Sequence, residues 1–288
     1  ELMTYSDIEK EYRSYVEDAS LQLGLSDVPQ IMNVDDYLSL GRKKISSMAI
    51  EKIPYQVFAL DRAIEVLMLL AEMFEVPNKD RRRTTLYAQL RRSSNISIAF
   101  RETISLGLEE SARVLTRNLF ESNELAFAVL VSSEFSEQYF LNDNVDQKKF
   151  WKQEIAYGKI YQYVSKAYSL VFPEEDIIDY LSHRKELKNI TSSAVHCDDG
   201  GGLRSIAIPV LGNDDIVCIR PYEAINAHAP DHIEAVIDEI FIVIGVFVNA
   251  MQAKEYNQPF ALGSHDVKYI HTFLCTIDAF QKLVNKAR

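Results

Sequence analysis

A serine and a histidine near the end of one predicted helix have residue types and a spacing that could support chemistry. Ser192 and His196 are four positions apart in this 288-residue sequence, so they share one face if the helix continues that far. A histidine beside cationic groups could act as general acid or base on an RNA 2′-hydroxyl or phosphoester. Alternatively, His196 caps the helix and orients the turn that follows it.

The groups that would assist this histidine lie upstream on the same predicted helix, whose apolar stripe runs from Ile177 to Ile190. In the catalytic hypothesis, Arg184 or Lys188 holds the phosphate while His196 transfers protons. The candidate catalytic set is therefore His196, Arg184, Lys188, Asn189 and Ser192.

A pair of opposite charges lies within a strongly apolar helix predicted at residues 109–131. Arg117 and Glu121 are four positions apart and therefore adjacent on one helical face. An arginine in so apolar a helix needs a partner, which Glu121 can supply. The pair is either a structural ion pair or, together with Arg113, the lining of a polar pocket that orders the candidate site.

A basic run between Lys79 and Arg92 stands out in a chain whose net charge is −11. The average surface is a poor partner for polyanions, because neutralisation of phosphates drives most non-specific nucleic-acid affinity. The run nevertheless predicts a local patch that contacts phosphate or RNA, while a solvated loop explains it equally well. The candidate contacts are Arg81, Arg82, Arg83, Arg91 and Arg92.

Histidines and cysteines give little sign of a metal site or a cofactor. His228 and His232 have the i, i+4 spacing of a chelating pair, but Pro230 between them disfavours a regular helix. The three cysteines lie far apart, and the sequence lacks a phosphate-binding loop, a dinucleotide fingerprint and a nucleophile elbow. We therefore expect no metal, no cofactor and a reducing, cytoplasmic compartment.

Hydrophobic periodicity predicts an all-α chain, an up-and-down helical bundle with one small β-hairpin insertion. The longest apolar run, residues 240–248, is too short to span a bilayer, so we expect no membrane segment. Helices are predicted at residues 4–23, 55–74, 86–106, 109–131, 147–171, 230–254 and 265–286, and from 174 to the glycines at 200–202. The predicted parts are a helical appendage at 1–52, a bundle domain at 53–254 with the hairpin near 203–219, and a C-terminal helix at 255–288 that packs on the bundle.

Two short motifs lie on either side of an aromatic-rich helix: R-x-L-x-E from Arg117 to Glu121, and S-x-x-x-H from Ser192 to His196. With the apolar helix before them and the glycines after them, they resemble an uncharacterised family of prokaryotic helical domains related to the HEPN superfamily. The resemblance covers roughly residues 54–252. It implies a helical bundle that usually works as a dimer.

Many HEPN proteins are metal-independent ribonucleases with an R-x(4–6)-H motif, so the resemblance implies His196 as the catalytic histidine. In this sequence Arg184 lies twelve positions before His196, which departs from that motif. Other relatives serve as binding or assembly modules without catalysis.

The predicted function is accordingly a HEPN-like, non-catalytic binding or assembly module in a prokaryotic defence or toxin–antitoxin system. One alternative is a toxin-type, metal-independent endoribonuclease that uses His196. A second alternative is a small-ligand sensor with a pocket between the bundle and the hairpin. The expected partner is a second copy of the chain or another protein, RNA stays an open alternative, and no membrane is expected.

Overall fold

The computed structural model describes residues 5–22, 34–75, 80–141, 147–196, 207–209, 216–218, 225–253 and 255–256, and most of them are helical. This confirms the predicted all-α class. The described α-helices are α1 (Tyr5–Gln22), α2 (Val34–Lys52), α3 (Pro54–Glu72), α4 (Arg81–Ser105), α5 (Glu109–Val131), α6 (Ser133–Leu141), α7 (Gln147–Phe150), α8 (Tyr161–Tyr168), α9 (Glu174–His196) and α10 (Ala229–Gln252). None of these helices is both long and apolar enough to cross a membrane.

The chain divides into two compact units, residues 1–39 and residues 40–288. The first unit contains α1, which exposes Tyr12 and Tyr15, and the hydroxyl of Tyr15 donates to Glu11 one turn earlier. Helix α2 begins in the first unit and ends in the second, which contains helices α3 to α10 and the core discussed below. The domain boundaries expected near residues 52 and 254 stay predictions.

Helix α5 is the central element of the second unit, since it packs against α4, α6, α8, α9 and α10. Helix α4 carries three small, fully buried side chains, Ser93, Ser94 and Ser97, and the hydroxyl of Ser93 contacts Ser122 of α5 at 3.0 Å. The hydroxyls of Ser94 and Ser97 donate to carbonyls one turn earlier in α4, so both buried hydroxyls have a hydrogen-bond partner. Helix α3 packs against both α4 and α10, and Phe74, just after α3, meets Phe247 of α10 edge-on at 5.6 Å.

Helix α2 forms where the sequence showed only weak periodicity. Ile45 and Ala49 of α2 and Ile53, just after its end, recur every four residues, and all three are buried. So short a stripe stabilises a helix only by packing on the bundle, which explains why local pattern alone missed it.

The aromatic helix predicted at 147–171 is instead interrupted. A π-helical turn at Trp151–Ile155 and a 3₁₀ turn at Ala156–Gly158 separate α7 from α8. Tyr157 adopts a left-handed conformation with φ of 57°, followed by Gly158 with φ of 81°. Two successive left-handed residues cannot continue a right-handed helix, so the chain bends here.

Two short strands, Ala207–Pro209 and Ile216–Cys218, pair antiparallel with Ile208 opposite Val217. The residues that would connect them, 210–215, lie outside the described residues, and the hairpin insertion stays a prediction. The helix expected at 265–286 also lies outside the described residues.

Replacing Phe247 by alanine should lower the free energy of unfolding by about 3–5 kcal/mol, because it removes a fully buried ring and leaves a cavity beside Phe74. Chemical denaturation followed by circular dichroism measures the loss. The matched control is Phe58→Ala: Phe58 is 50% exposed, so its removal should cost less than about 1 kcal/mol. Equal losses for the two variants would contradict this placement of the core.

Candidate functional site

Arg184 of α9 is the centre of a buried ionic network. Its side chain is only 2% exposed, and all five of its N–H groups are donated within the protein. The Nε group donates to Glu124 Oε1 at 3.1 Å, and the two terminal nitrogens bond both carboxylate oxygens of Glu239. The remaining two N–H groups reach the hydroxyl of Tyr168 at 3.0 Å and the carbonyl of Phe120 at 2.9 Å. This arginine therefore joins α5, α8, α9 and α10.

The two carboxylates in the network have further donors. Asn123 Nδ2 donates to Glu239 Oε1 at 2.7 Å, and Ser93 of α4 contacts Asn123 Oδ1 at 2.7 Å. Lys188 Nζ donates to both oxygens of Glu124, at 2.8 and 3.1 Å. Two cations thus face two carboxylates, and the four charges cancel.

Burial and pairing act in opposite directions on these groups. Burial opposes the charged form of Arg184, but the neighbouring carboxylates raise its pKa well above the ordinary value. Burial raises the pKa of Glu239, while hydrogen bonds from Arg184 and Asn123 counteract that rise. The charges are stabilised only as a set, because any one of them alone would be buried without compensation.

The structure brings together only part of the predicted catalytic set. Arg184 and Lys188 meet on Glu124, whereas Asn189 is exposed and Ser192 is half-buried. His196 is the last residue of α9, and its side chain lies outside the described residues. Arg184 and His196 are twelve positions apart along α9, which is roughly 18 Å along the helix axis.

The predicted ion pair on α5 is present, with Arg117 Nε 3.1 Å from Glu121 Oε1. Arg117 also donates to the backbone carbonyl of Lys188 at 3.0 Å. Arg113 pairs with Glu110 and donates to the carbonyl of Ile190. The arginines of α5 therefore hold the backbone of α9 against α5, which is a positioning role.

The basic run does not form a single exposed patch. The guanidinium of Arg82 bonds the carbonyls of Val129 and Leu130 near the C-terminal end of α5. Arg83 is buried and donates to the carbonyl of Met73 just after α3, at 2.7 Å. Both satisfy carbonyls that helix ends leave without partners.

The other arginines of the run lie nearer the surface. Arg91 pairs with Glu72 at 2.8 Å, while Arg81 and Arg92 are exposed. Whether these two contact phosphate or RNA stays a prediction.

The two histidines considered as a chelating pair have separate partners. His232 Nε2 lies 3.0 Å from Glu109 Oε1, and His228 lies 3.9 Å from Asp231. In the part of the chain that the structure describes, no group of three or more His, Cys, Asp or Glu side chains could hold a metal ion.

A cleft of about 290 Å³ lies beside the network, between α9 and α10. Its lining includes Tyr168, Arg184 and Glu239, and a stacked pair of rings, Phe172 and Tyr180, with centroids 3.7 Å apart. Most of the lining is apolar.

The sequence alone did not identify Glu124, Tyr168 and Glu239 as residues of the site. One signal was available: Glu239 directly precedes the longest apolar run of the chain. A carboxylate in so apolar a helix requires a buried cation as its partner, but nothing in the local sequence identifies Arg184 as that cation.

Replacing Arg184 by methionine should lower the free energy of unfolding by about 3–5 kcal/mol, because it leaves two buried carboxylates without their shared cation. It should also raise the pKa of Glu239 further, since the guanidinium counteracts the effect of burial. A carboxyl group whose pKa is higher in the folded than in the unfolded state loses its stabilising contribution as pH rises through the folded pKa. The loss in the free energy of unfolding relative to the wild type, measured by chemical denaturation, should therefore be larger near neutral pH than near pH 5.

The control for this experiment is Arg117→Met, which removes an arginine that is 22% exposed from an ion pair with a half-exposed glutamate. This variant should lower the free energy of unfolding by about 1 kcal/mol, and the loss should be nearly independent of pH. A similar pH dependence in both variants would contradict the assignment to buried carboxylates.

Replacing Arg82 by methionine should destabilise the protein by about 1–3 kcal/mol, because two carbonyls near the end of α5 lose their donors. Arg92→Met removes the same charge from an exposed position and should change stability by less than about 0.5 kcal/mol. Thermal or chemical denaturation of the pair measures the difference. Two equal, small effects would show that the basic run is a solvated face after all.

No protein-family model matches this chain, and no curated protein or solved structure is significantly similar to it. The HEPN-like resemblance of the two short motifs therefore stays a prediction. What the site can do has to be inferred from its own side chains.

Proposed function

We propose that this chain is a HEPN-like, non-catalytic helical binding module. The observation that carries the proposal is that the charges of the ionic network pair with one another inside the protein. Arg184 donates all five of its N–H groups inside the protein, and Lys188 is engaged on both oxygens of Glu124. The two cations expected to hold phosphate are thus already neutralised by carboxylates, and Arg184 is shielded from solvent.

Metal-independent cleavage of RNA places different demands on a site. The attacked phosphate needs a cation or preorganised donors beside it, close to the group that transfers the proton. Arg184 is separated from His196 by roughly 18 Å of helix, and releasing it would leave Glu239 buried without a cation and Glu124 with Lys188 alone. Both considerations favour the binding module over the ribonuclease.

The cellular setting and the partner form part of the same proposal. The HEPN-like motifs support a role in a prokaryotic defence or toxin–antitoxin system, in the cytoplasm, with the residues near 203–219 as a hairpin inserted in the bundle. Exposed apolar side chains on α9 support a protein partner or a second copy of the chain: Ile178 is 75% exposed, and Tyr180 and Ile190 are 40% and 48% exposed.

One observation favours a second function, the binding of a small molecule. The cleft between α9 and α10 combines apolar and aromatic walls with a few polar groups, which is the usual composition of a ligand pocket. Its volume of about 290 Å³ is close to the lower end of the roughly 300–1,000 Å³ found for such pockets. A small-ligand sensor is therefore compatible with the binding module and would be one form of it.

The full chain incubated with total RNA in EDTA should leave the RNA intact, even at high protein concentration. Gel electrophoresis or sequencing of the RNA ends measures cleavage. His196→Ala is the matched variant and should behave in the same way. Cleavage that persists in EDTA and disappears in His196→Ala would overturn the proposal and establish the ribonuclease alternative.

A further inference from the structure

The cleft between α9 and α10 has one polar group that the ionic network leaves unused. Tyr168 lines the cleft, is only 1% exposed, and accepts a hydrogen bond from Arg184 at 3.0 Å. Its own hydroxyl proton is donated to no acceptor among the described residues. A buried donor without an acceptor is unfavourable, so an acceptor from outside the chain would satisfy it.

The hydroxyl of Tyr168 is suited to donate rather than to ionise. Burial raises its pKa to about 12, so it keeps its proton throughout the physiological range. The bond that it accepts from the guanidinium of Arg184 polarises the hydroxyl, which strengthens it as a donor.

The other polar groups of the cleft floor offer nothing to a charged ligand. Every N–H group of Arg184 is donated inside the protein, and both oxygens of Glu239 accept from Arg184. The charges of the network cancel, so the floor offers an anion no unpaired cation and no donor besides the hydroxyl of Tyr168. At the mouth, His183 and Asp238 are exposed to solvent.

The walls favour a flat, apolar body. Phe172 and Tyr180 stack with their ring planes 20° apart and form one side of the cleft. Phe120 and Ile242 add apolar surface.

We infer that this cleft binds a neutral, largely apolar small molecule with one or two aromatic rings, whose carbonyl oxygen or ring nitrogen accepts the hydroxyl proton of Tyr168. The inference rests on the proposed binding function and specifies the ligand class. The rings fill the apolar walls, and the single acceptor sets the orientation of the ligand, as polar groups do in other small-molecule pockets.

Two neutral probes of the same shape test this assignment: quinoline, whose ring nitrogen is an acceptor, and naphthalene, which has none. Ligand-observed NMR titration of the full chain should give saturable binding of both, with quinoline at least about fivefold tighter because only it accepts from Tyr168. The anionic probe 2-naphthoate should bind more weakly than quinoline, since its carboxylate would lose water for a single donor, Tyr168, with no unpaired cation to offset its charge.

Tyr168→Phe keeps the ring and removes only the hydroxyl, and Arg184 keeps its bonds to both glutamates. In this variant the preference for quinoline over naphthalene should disappear while naphthalene binding stays unchanged. Ala235→Phe, which places a ring in the cleft, should abolish the binding of both probes. Circular dichroism of both variants checks that the helices are intact.

Three results would overturn the inference: no saturable binding to the wild-type chain, equal affinities for quinoline and naphthalene, or a preference that survives in Tyr168→Phe. Tighter binding of 2-naphthoate than of quinoline would also overturn the neutral ligand class. None of these results changes the RNA experiment. EDTA-resistant cleavage would overturn the proposed function alone, whereas absent probe binding would overturn only the ligand assignment.

Discussion

The buried guanidinium of Arg184 is the constraint on which the arrangement of the central helices depends. A charge removed from water must be compensated by opposite charges and hydrogen bonds, or the fold loses several kilocalories per mole. Glu124 of α5 and Glu239 of α10 supply the charges, and Tyr168 and the carbonyl of Phe120 complete the bonds. These partners can be satisfied together only in one relative placement of the four helices that carry them, so a polar interaction specifies how an otherwise apolar core is assembled.

The mutual neutralisation of these buried charges also affects the chemical character of the neighbouring cleft. Two cations of α9, Arg184 and Lys188, face carboxylates inside the protein. What the network leaves over is a single hydroxyl beside an apolar cleft. In the proposed ligand site, structural stability and ligand selectivity would have one physical origin, since the network neutralises the cleft floor and at the same time polarises Tyr168.

Charge in the sequence is also not equivalent to charge on the surface. Arg82 and Arg83 belong to the most basic run of the chain, yet their guanidinium groups satisfy carbonyls near the ends of α5 and α3. Helix ends require such donors wherever they are buried, and a long arginine side chain can reach them from a neighbouring helix. Basic residues counted along a chain therefore overestimate the positive charge on its surface.

The sequence by itself determined the features that depend on neighbours within one or two turns. Apolar periodicity located α3, α5 and α10 to within about two residues, and the i, i+4 spacing identified the pair of Arg117 and Glu121. The tertiary structure alone decided the rest. Arg184 and Glu239 are 55 positions apart, and α2 forms only because the bundle covers its short apolar stripe. Such contacts depend on how helices cross in space, and no periodicity along the chain encodes that choice.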